Sequence, residues 1–328
     1  MRYIKLIPHE LEASSLCLGT SSFGTRITKD DAIKQMDFFF ENGGNFLDTA
    51  RVYGAWLPDG NGASEKTLGQ WIKERECRNK VLISTKCAHP DLNNMHIPRM
   101  SKADLRSDLE ESLKALGTDY IDIYFLHRDD VSKPVDEILE NLEEFKKEGK
   151  IKYYGCSNWT LSRLIEAENA ASHLGFTGFG CNQIRFGLAD LNVNAIKDKT
   201  TVAMDSEFFT WHENTKKPAM AYTSSCNGYF SKKLAGKNVS PSIESIYNND
   251  ANQILLEKLA LWEKDLGCSA AVLVSAYVMA QGFPAVSIAA FSSIAQMEEG
   301  IMAGDFVLPV QVLEEIRVIK RFVSEDRL

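Results

Sequence analysis

Eight short apolar runs, separated by longer amphipathic stretches, constrain this chain more than any other feature. The runs are Ser15–Gly19, Asn45–Asp48, Val81–Lys86, Ile121–His127, Lys152–Ser157, Phe179–Ile184, Ala219–Thr223 and Ala285–Ala289. Apolar runs of this length, bounded by turn residues, read as buried strands. Three of the stretches between them carry helix punctuation. Thr28–Asn42 opens on a Thr cap with Asp31 three residues on, and closes at Gly43 and Gly44. Ser101–Leu116 opens Ser-Lys-Ala-Asp and stops at Gly117, and Pro134–Lys147 has Pro just inside its start and Gly149 just past its end. These are capping-box, C-cap and N1-proline signatures. Strands alternating with helices through short links imply a parallel sheet. Eight strands close such a sheet, so the expected fold is an α/β (β/α)8 TIM barrel, one domain covering residues 1–328. An open doubly wound sheet would need a Gly-x-Gly-x-x-Gly turn to hold a dinucleotide, and the chain has none.

Three regions break the rhythm. Residues 2–14 alternate apolar and polar and are expected to form an N-terminal β-hairpin plugging the barrel. Residues 185–205 and 225–250 read as long polar connections on the C-terminal side of their strands, where barrel active sites are built. Pro309–Arg321 reads as an extra C-terminal helix packed outside.

The ends of the early runs carry charge. Asn45–Asp48 ends in a carboxylate and leads to Tyr53, Val81–Lys86 ends in an ammonium, and Ile121–His127 ends in an imidazole. Charge at the end of an apolar strand costs desolvation unless a partner meets it. In a parallel barrel these ends share one face, so the groups can partner one another. Singly, Asp48 and Lys86 read best as a buried salt bridge and His127 as a satisfied core histidine. Together, on successive strand ends, they read as a site.

The 328 residues are 44% hydrophobic and carry a net charge of −8, with no basic tract. That balance argues against nucleic acid as a partner. No stretch approaches the roughly 20 apolar residues that span a bilayer, and the first ten residues are too polar for a signal peptide. The seven cysteines show no Cys-x-x-Cys spacing, so they read as reduced, buried thiols of a cytoplasmic protein, and no cluster has zinc spacing.

In order and spacing, Asp48-x4-Tyr53, Lys86 and His127 resemble the catalytic tetrad of the aldo-keto reductases. Leu18-Gly-Thr20, Asn45–Gly54, Leu116–Asp122, Gly155–Asn158, Asn182-Gln183, Ala221-Tyr222 and Ser292-Ser293-x-x-Gln296 fall in the same family's order. The resemblance implies reduction of an aldehyde or ketone, sugar-like in one reading, with NADP(H) favoured and NAD(H) possible. Tyr53 would donate the proton, Lys86 would lower its pKa, Asp48 would hold Lys86, and His127 Nε2 would donate to the carbonyl oxygen or share the proton with Tyr53. It further implies that Ser157, Asn158 and Gln183 hold the nicotinamide carboxamide and that Tyr222 stacks on the ring. Gly19, Thr20, Thr223, Ser224 and Gly228 would lie along the cofactor, and Ser292, Ser293, Gln296 and Glu299 at its adenosine end.

Departures cluster at that end. Ala290 and Gln296 stand where many members have Lys or Arg, and Gly300 where they have Asn. Ser292 and Ser293 also read as an ordinary helix cap. Expected substrate-side residues are Phe23, Trp56, His127, Arg128 and Trp159. Trp159 serves either as a pocket roof or as core packing. Asp59, Asn61 and Arg128 hint at a hydroxylated substrate. The other functional class open to such a barrel is a nucleotide-binding regulatory or accessory subunit, and the intact tetrad favours the enzyme. The oligomeric state is not legible.

Overall fold

The computed structural model describes residues 1–7 and 11–325, with side chains through Lys320. The chain opens with an antiparallel hairpin, β1 (Tyr3–Leu6) and β2 (Leu11–Ser14), pairing Tyr3 with Ser14 and Leu6 with Leu11. Residues 8–10, between the two strands in sequence, lie outside the described residues. Eight parallel strands follow: β3 (Leu16–Gly19), β4 (Phe46–Asp48), β5 (Leu82–Cys87), β6 (Ile121–Leu126), β7 (Ile151–Ser157), β8 (Asn182–Arg185), β9 (Ala219–Tyr222) and β10 (Ala285–Ala289). β10 pairs with both β9 and β3, which closes the barrel.

Successive barrel strands are joined by α1 (Lys29–Glu41), α2 (Ala63–Arg75), α3 (Lys102–Leu116), α4 (Val135–Lys147), α5 (Leu161–Leu174) and α6 (Ser206–Thr215). Four helices separate β9 from β10: α7 (Tyr229–Leu234), α8 (Pro241–Tyr247), α9 (Asp250–Leu266) and α10 (Ala270–Met279). α11 (Ile294–Asp305) and α12 (Val310–Glu325) complete the chain. The expected caps form: Thr28 Oγ1 accepts from Asp31 N and Ser101 Oγ from Asp104 N, while Gly117 takes the left-handed C-terminal position. Pro134 occupies the cap itself, one residue earlier than expected.

The lumen is a packed core. Cys17, Phe46, Ile123, Phe125, Cys181, Met220, Val286 and Ile288 fill it, and Leu6, Ile7, Leu11 and Ala13 of the hairpin close one end. A larger apolar layer lies between strands and helices.

Two expectations change. The sixth barrel strand starts at Asn182, not Phe179: the chain leaves a left-handed Gly178 (φ +71), and its first bonds to β7, at Gly180 and Cys181, precede the regular register. Residues 225–250 are not a long loop. They fold into α7 and α8, whose Tyr229, Phe230 and Tyr247 are buried. Among the described residues, no helix is long and apolar enough to cross a membrane.

Candidate active site

The tetrad residues meet at the C-terminal mouth of the barrel. Lys86 Nζ donates to Asp48 Oδ2 at 2.7 Å, to Thr49 O at 2.7 Å and to Tyr53 Oη at 3.1 Å. An ammonium has three hydrogens, and all three are placed. One lone pair of Tyr53 Oη is thereby occupied, leaving its own hydrogen free for the site. Tyr53 reaches this point through a tight turn in which Gly54 takes φ +97 with Gly60 O close by, so a side chain at position 54 would clash. The Tyr53 and His127 rings stand edge to face, centroids 6.0 Å apart.

The charges settle each other. Burial, the largest single influence on Lys86, favours its neutral form, but Asp48 and Tyr53 outweigh it and the pKa is raised. Burial of the Tyr53 hydroxyl raises its pKa above the ordinary phenol value, against the opposing pull of Lys86. This corrects the expectation that Lys86 brings that pKa below normal: with the hydroxyl dehydrated, Lys86 limits the rise. Burial, with Arg128, Lys86 and His89 adding, holds the His127 pKa well below normal, so the ring is neutral at pH 7. Its Nδ1 is buried without a hydrogen-bond partner among the described residues.

The residues expected to hold a cofactor divide into two groups. Ser157 ends β7 and Asn158 follows it, Gln183 lies within the adjacent β8, and Tyr222 ends β9. Asn158, in a left-handed conformation, uses its amide within the protein: Oδ1 accepts from Tyr222 Oη at 2.6 Å and Val202 N at 3.1 Å, and Nδ2 donates to His127 O at 3.2 Å. Burial pushes the Tyr222 pKa up to about 12. Thr223, Cys226, Asn227 and Gly228 all have positive φ. Non-glycine residues held this way store strain, a feature that gathers at ligand loops.

Other residues expected along the cofactor have their side-chain surroundings inside the protein. Thr20 is fully buried, its hydroxyl bonded to Asp48 O and Ser64, and Ser224 Oγ donates to Ile288 O, so both hold the frame. Gly19 packs against β10, where a Cβ would meet Ile288 at 3.1 Å. At α11, Ser293 Oγ accepts from Gln296 N and Gln296 Oε1 accepts from Ser292 N, so the helix-cap reading holds here. Glu299 lies in the same helix.

On the substrate side, Phe23 and Trp159 are core residues, 1% and 0% exposed, and Trp159 packs on Phe179 with centroids 5.0 Å apart. Arg128 is also withdrawn. It donates to Asp198 Oδ2 at 2.8 Å, Thr200 Oγ1 at 2.6 Å and His127 O at 2.8 Å, tying the connection after β8 to the end of β6. Trp56 is 47% exposed with its ring 6.3 Å from that of Tyr53, and His89 stands edge to face with His127 at 4.8 Å.

Sequence reasoning missed Ser84, which donates to Asp48 Oδ1 at 2.7 Å. The signal was present, since Ser84 lies two residues before Lys86 and shares its face of the strand. The thiol of Cys87 is buried and its pKa pushed far up, so it is no thiolate.

The sequence pattern of the Aldo/keto reductase family matches residues 15–321. An uncharacterized oxidoreductase of Bacillus subtilis, YrpG, is 29% identical over 97% of this chain and 96% of its own length. Norsolorinic acid reductase stcV of Emericella nidulans is 35% identical over 48% of this chain and 43% of its own. An aldo/keto reductase from Klebsiella pneumoniae, solved in complex with NADP and acetate, aligns over 96% of this chain and 93% of its own with a TM-score of 0.70. At 22% identity that last likeness supports the fold.

Proposed function

This chain belongs to the aldo/keto reductase family, and from that premise we propose that it is one barrel domain reducing an aldehyde or ketone to an alcohol, with Tyr53 as proton donor. The observation that carries the reading is the Lys86 ammonium, which places one N–H on Tyr53 Oη and the others on Asp48 and Thr49. The side chains fit a nicotinamide dinucleotide by their chemistry. Ser157 and Gln183 supply a hydroxyl and an amide for the carboxamide, Tyr222 supplies a ring, and the strained loop Thr223–Gly228 supplies backbone near the phosphates. Asn158 holds the frame around them. NADP(H) is the favoured form.

When bound, the reduced cofactor supplies the hydride that attacks the carbonyl carbon. Tyr53 Oη then gives its proton to the carbonyl oxygen, and the phenolate left behind faces the Lys86 ammonium. That interaction strengthens as charge develops, which is what lowers a barrier. Neutral His127, with nothing to receive a proton at Nδ1, keeps its hydrogen on Nε2 and donates it to the same oxygen. Asp48 keeps Lys86 charged and in place.

Trp56 and His89 border the mouth, while Arg128 is paired and Asn61 accepts from Arg51. This arrangement supports planar aromatic carbonyls over sugars. The test is a panel of aromatic aldehydes, ketones and sugars with NADPH and NADH, on wild type and Tyr53→Phe. The expected result is turnover by wild type and a loss of about 10²–10⁴-fold in the variant, with cofactor binding intact. Cofactor binding without turnover of any carbonyl would instead favour an accessory role.

A further inference from the structure

Gln183 is the second residue of β8, which lies diametrically opposite β4 in the eight-stranded barrel. Its Nε2 donates across the lumen to Asp48 Oδ1 at 2.9 Å. Ser84 Oγ donates to the same oxygen, and Lys86 Nζ to the other. All four side chains are buried. Two neutral donors thus share the Asp48 charge with the ammonium. Hydrogen bonds to a buried carboxylate satisfy it locally, so it draws less on any one partner.

We propose that Gln183 is a positioning residue of the proton relay: its amide fixes Asp48 Oδ1, turns Oδ2 toward Lys86 and takes up part of the carboxylate's charge, leaving more of the Lys86 charge for Tyr53 Oη. This adds to any contact Gln183 makes with a cofactor, and it rests on the reading of Tyr53 as proton donor. Without the amide, one buried oxygen of Asp48 loses a donor and its charge falls more fully on Lys86. The phenolate of Tyr53 is then less stabilised. The titratable and charged groups around Tyr53 are Lys86 from β5, Asp48 from β4, and His127 and Arg128 at the end of β6. Of these, only Asp48 bonds to Gln183.

The experiment follows kcat against pH under saturating NADPH and carbonyl substrate for wild type, Gln183→Leu and Gln183→Glu, with NADP⁺ affinity measured separately by fluorescence titration. For Gln183→Leu, kcat should fall about tenfold and its alkaline limb should move up by about one pH unit, the equivalent shift. Gln183→Glu should be impaired at pH 8 and recover relative to wild type as pH falls, because the new carboxyl donates to Asp48 only when protonated. That recovery occurs within a folded protein, so it stands even if Gln183→Leu misfolds. Unchanged kcat and unchanged pH profiles in both variants, with weakened NADP⁺ binding alone, would overturn the proposal and confine Gln183 to the cofactor. Tyr53→Phe run alongside separates the two failures. Full activity in that variant sinks the proton-donor reading and this proposal together. Its loss, with wild-type behaviour at position 183, sinks this proposal alone.

Discussion

Lys86 has no hydrogen to spare, since its three N–H groups are divided among Asp48, Thr49 and Tyr53. It and Tyr53 should therefore behave as one unit. Lys86→Met should lower kcat about as much as Tyr53→Phe, and the double variant should be little worse than either. Additive losses in a double-mutant cycle would reduce Lys86 to a structural role. The pH profile follows from the same group. Reduction needs the protonated phenol, and burial holds the Tyr53 pKa above its ordinary value. Activity lost with rising pH through that pKa should therefore persist past pH ~10, the ordinary phenol value. A tyrosine-dependent limb between pH 6 and 8 would contradict this. Asp48, Lys86 and His127 were legible because each ends an apolar run, and Tyr53 by its spacing from Asp48. Ser84 was legible in principle, by strand period. The Gln183–Asp48 bond was not, because it joins residues 135 apart across a closed lumen. The burial of Phe23 and Thr20 was equally hidden, since motif position says nothing about which way a side chain turns, and for Trp159 the structure decides between two open readings in favour of core packing.

At the scale of elements, the second half of the connection after β8 is gripped from neighbouring strand ends: Arg128 donates to Asp198 and Thr200, and Asn158 receives Val202 N–H. Read from sequence, this segment was a polar loop. Its anchoring depends on strand ends brought together only by barrel closure. Asp198→Ala should leave Arg128 with fewer partners, raise amide exchange around residues 193–204 and raise the carbonyl substrate KM at least severalfold, with little change in cofactor affinity. Unchanged exchange would mean that the Arg128–Asp198 pair does not hold the segment, and that Asn158 and the backbone bonds to Arg185 suffice. The α7–α8 region was misread because Ser, Asn, Gly and Lys dominate its composition, whereas buried Tyr229, Phe230 and Tyr247 decide its structure. The start of α11 was readable as a cap, and that reading sets a prediction. Ser293 and Gln296 cap the helix, with no Lys or Arg at 290 or 296. Neutral hydrogen bonds and a helix terminus contribute about 1 kcal/mol each toward a phosphate. Preference for NADP(H) over NAD(H) should then be about tenfold to a hundredfold, each ~1.4 kcal/mol being a factor of ten. Gln296→Arg should tighten NADP(H) selectively and in a salt-sensitive way, read as kcat/KM for both cofactors. A far larger preference in the wild type would place a cation from elsewhere at the phosphate, and Arg317 is an unsuitable source because it pairs with Glu213.

For the whole molecule, barrel closure was readable from eight alternations, but the way the barrel resists acid was not. Among the described residues two imidazoles are buried in it, His127 and His212. His212 donates from Nδ1 to Lys217 O at 2.9 Å and faces the Asn182 amide through Nε2 at 3.3 Å, so α6 is tied to β8 by a neutral ring. Burial lowers its pKa to about 4. The unfolded chain, with an ordinary histidine near 6.5, binds the proton more readily throughout the interval between. Stability from this residue is thus fully present above pH ~6.5 and is lost as pH falls toward 4, by about 3 kcal/mol in all. His127 works in the same direction. Glu65 and Asp129, whose burial raises their pKa, work the other way, because they take up protons more readily folded than unfolded. The net slope is therefore smaller than either set alone would give, and a single wild-type curve does not assign it. Comparing wild type with His212→Gln does. The variant should be less stable at pH 7, where the tie between α6 and β8 is disturbed, yet lose less stability from pH 6.5 to 4, since nothing at position 212 titrates. Denaturant unfolding at fixed pH values across that interval measures both slopes, and parallel curves for the two proteins would show that His212 is not buried neutral.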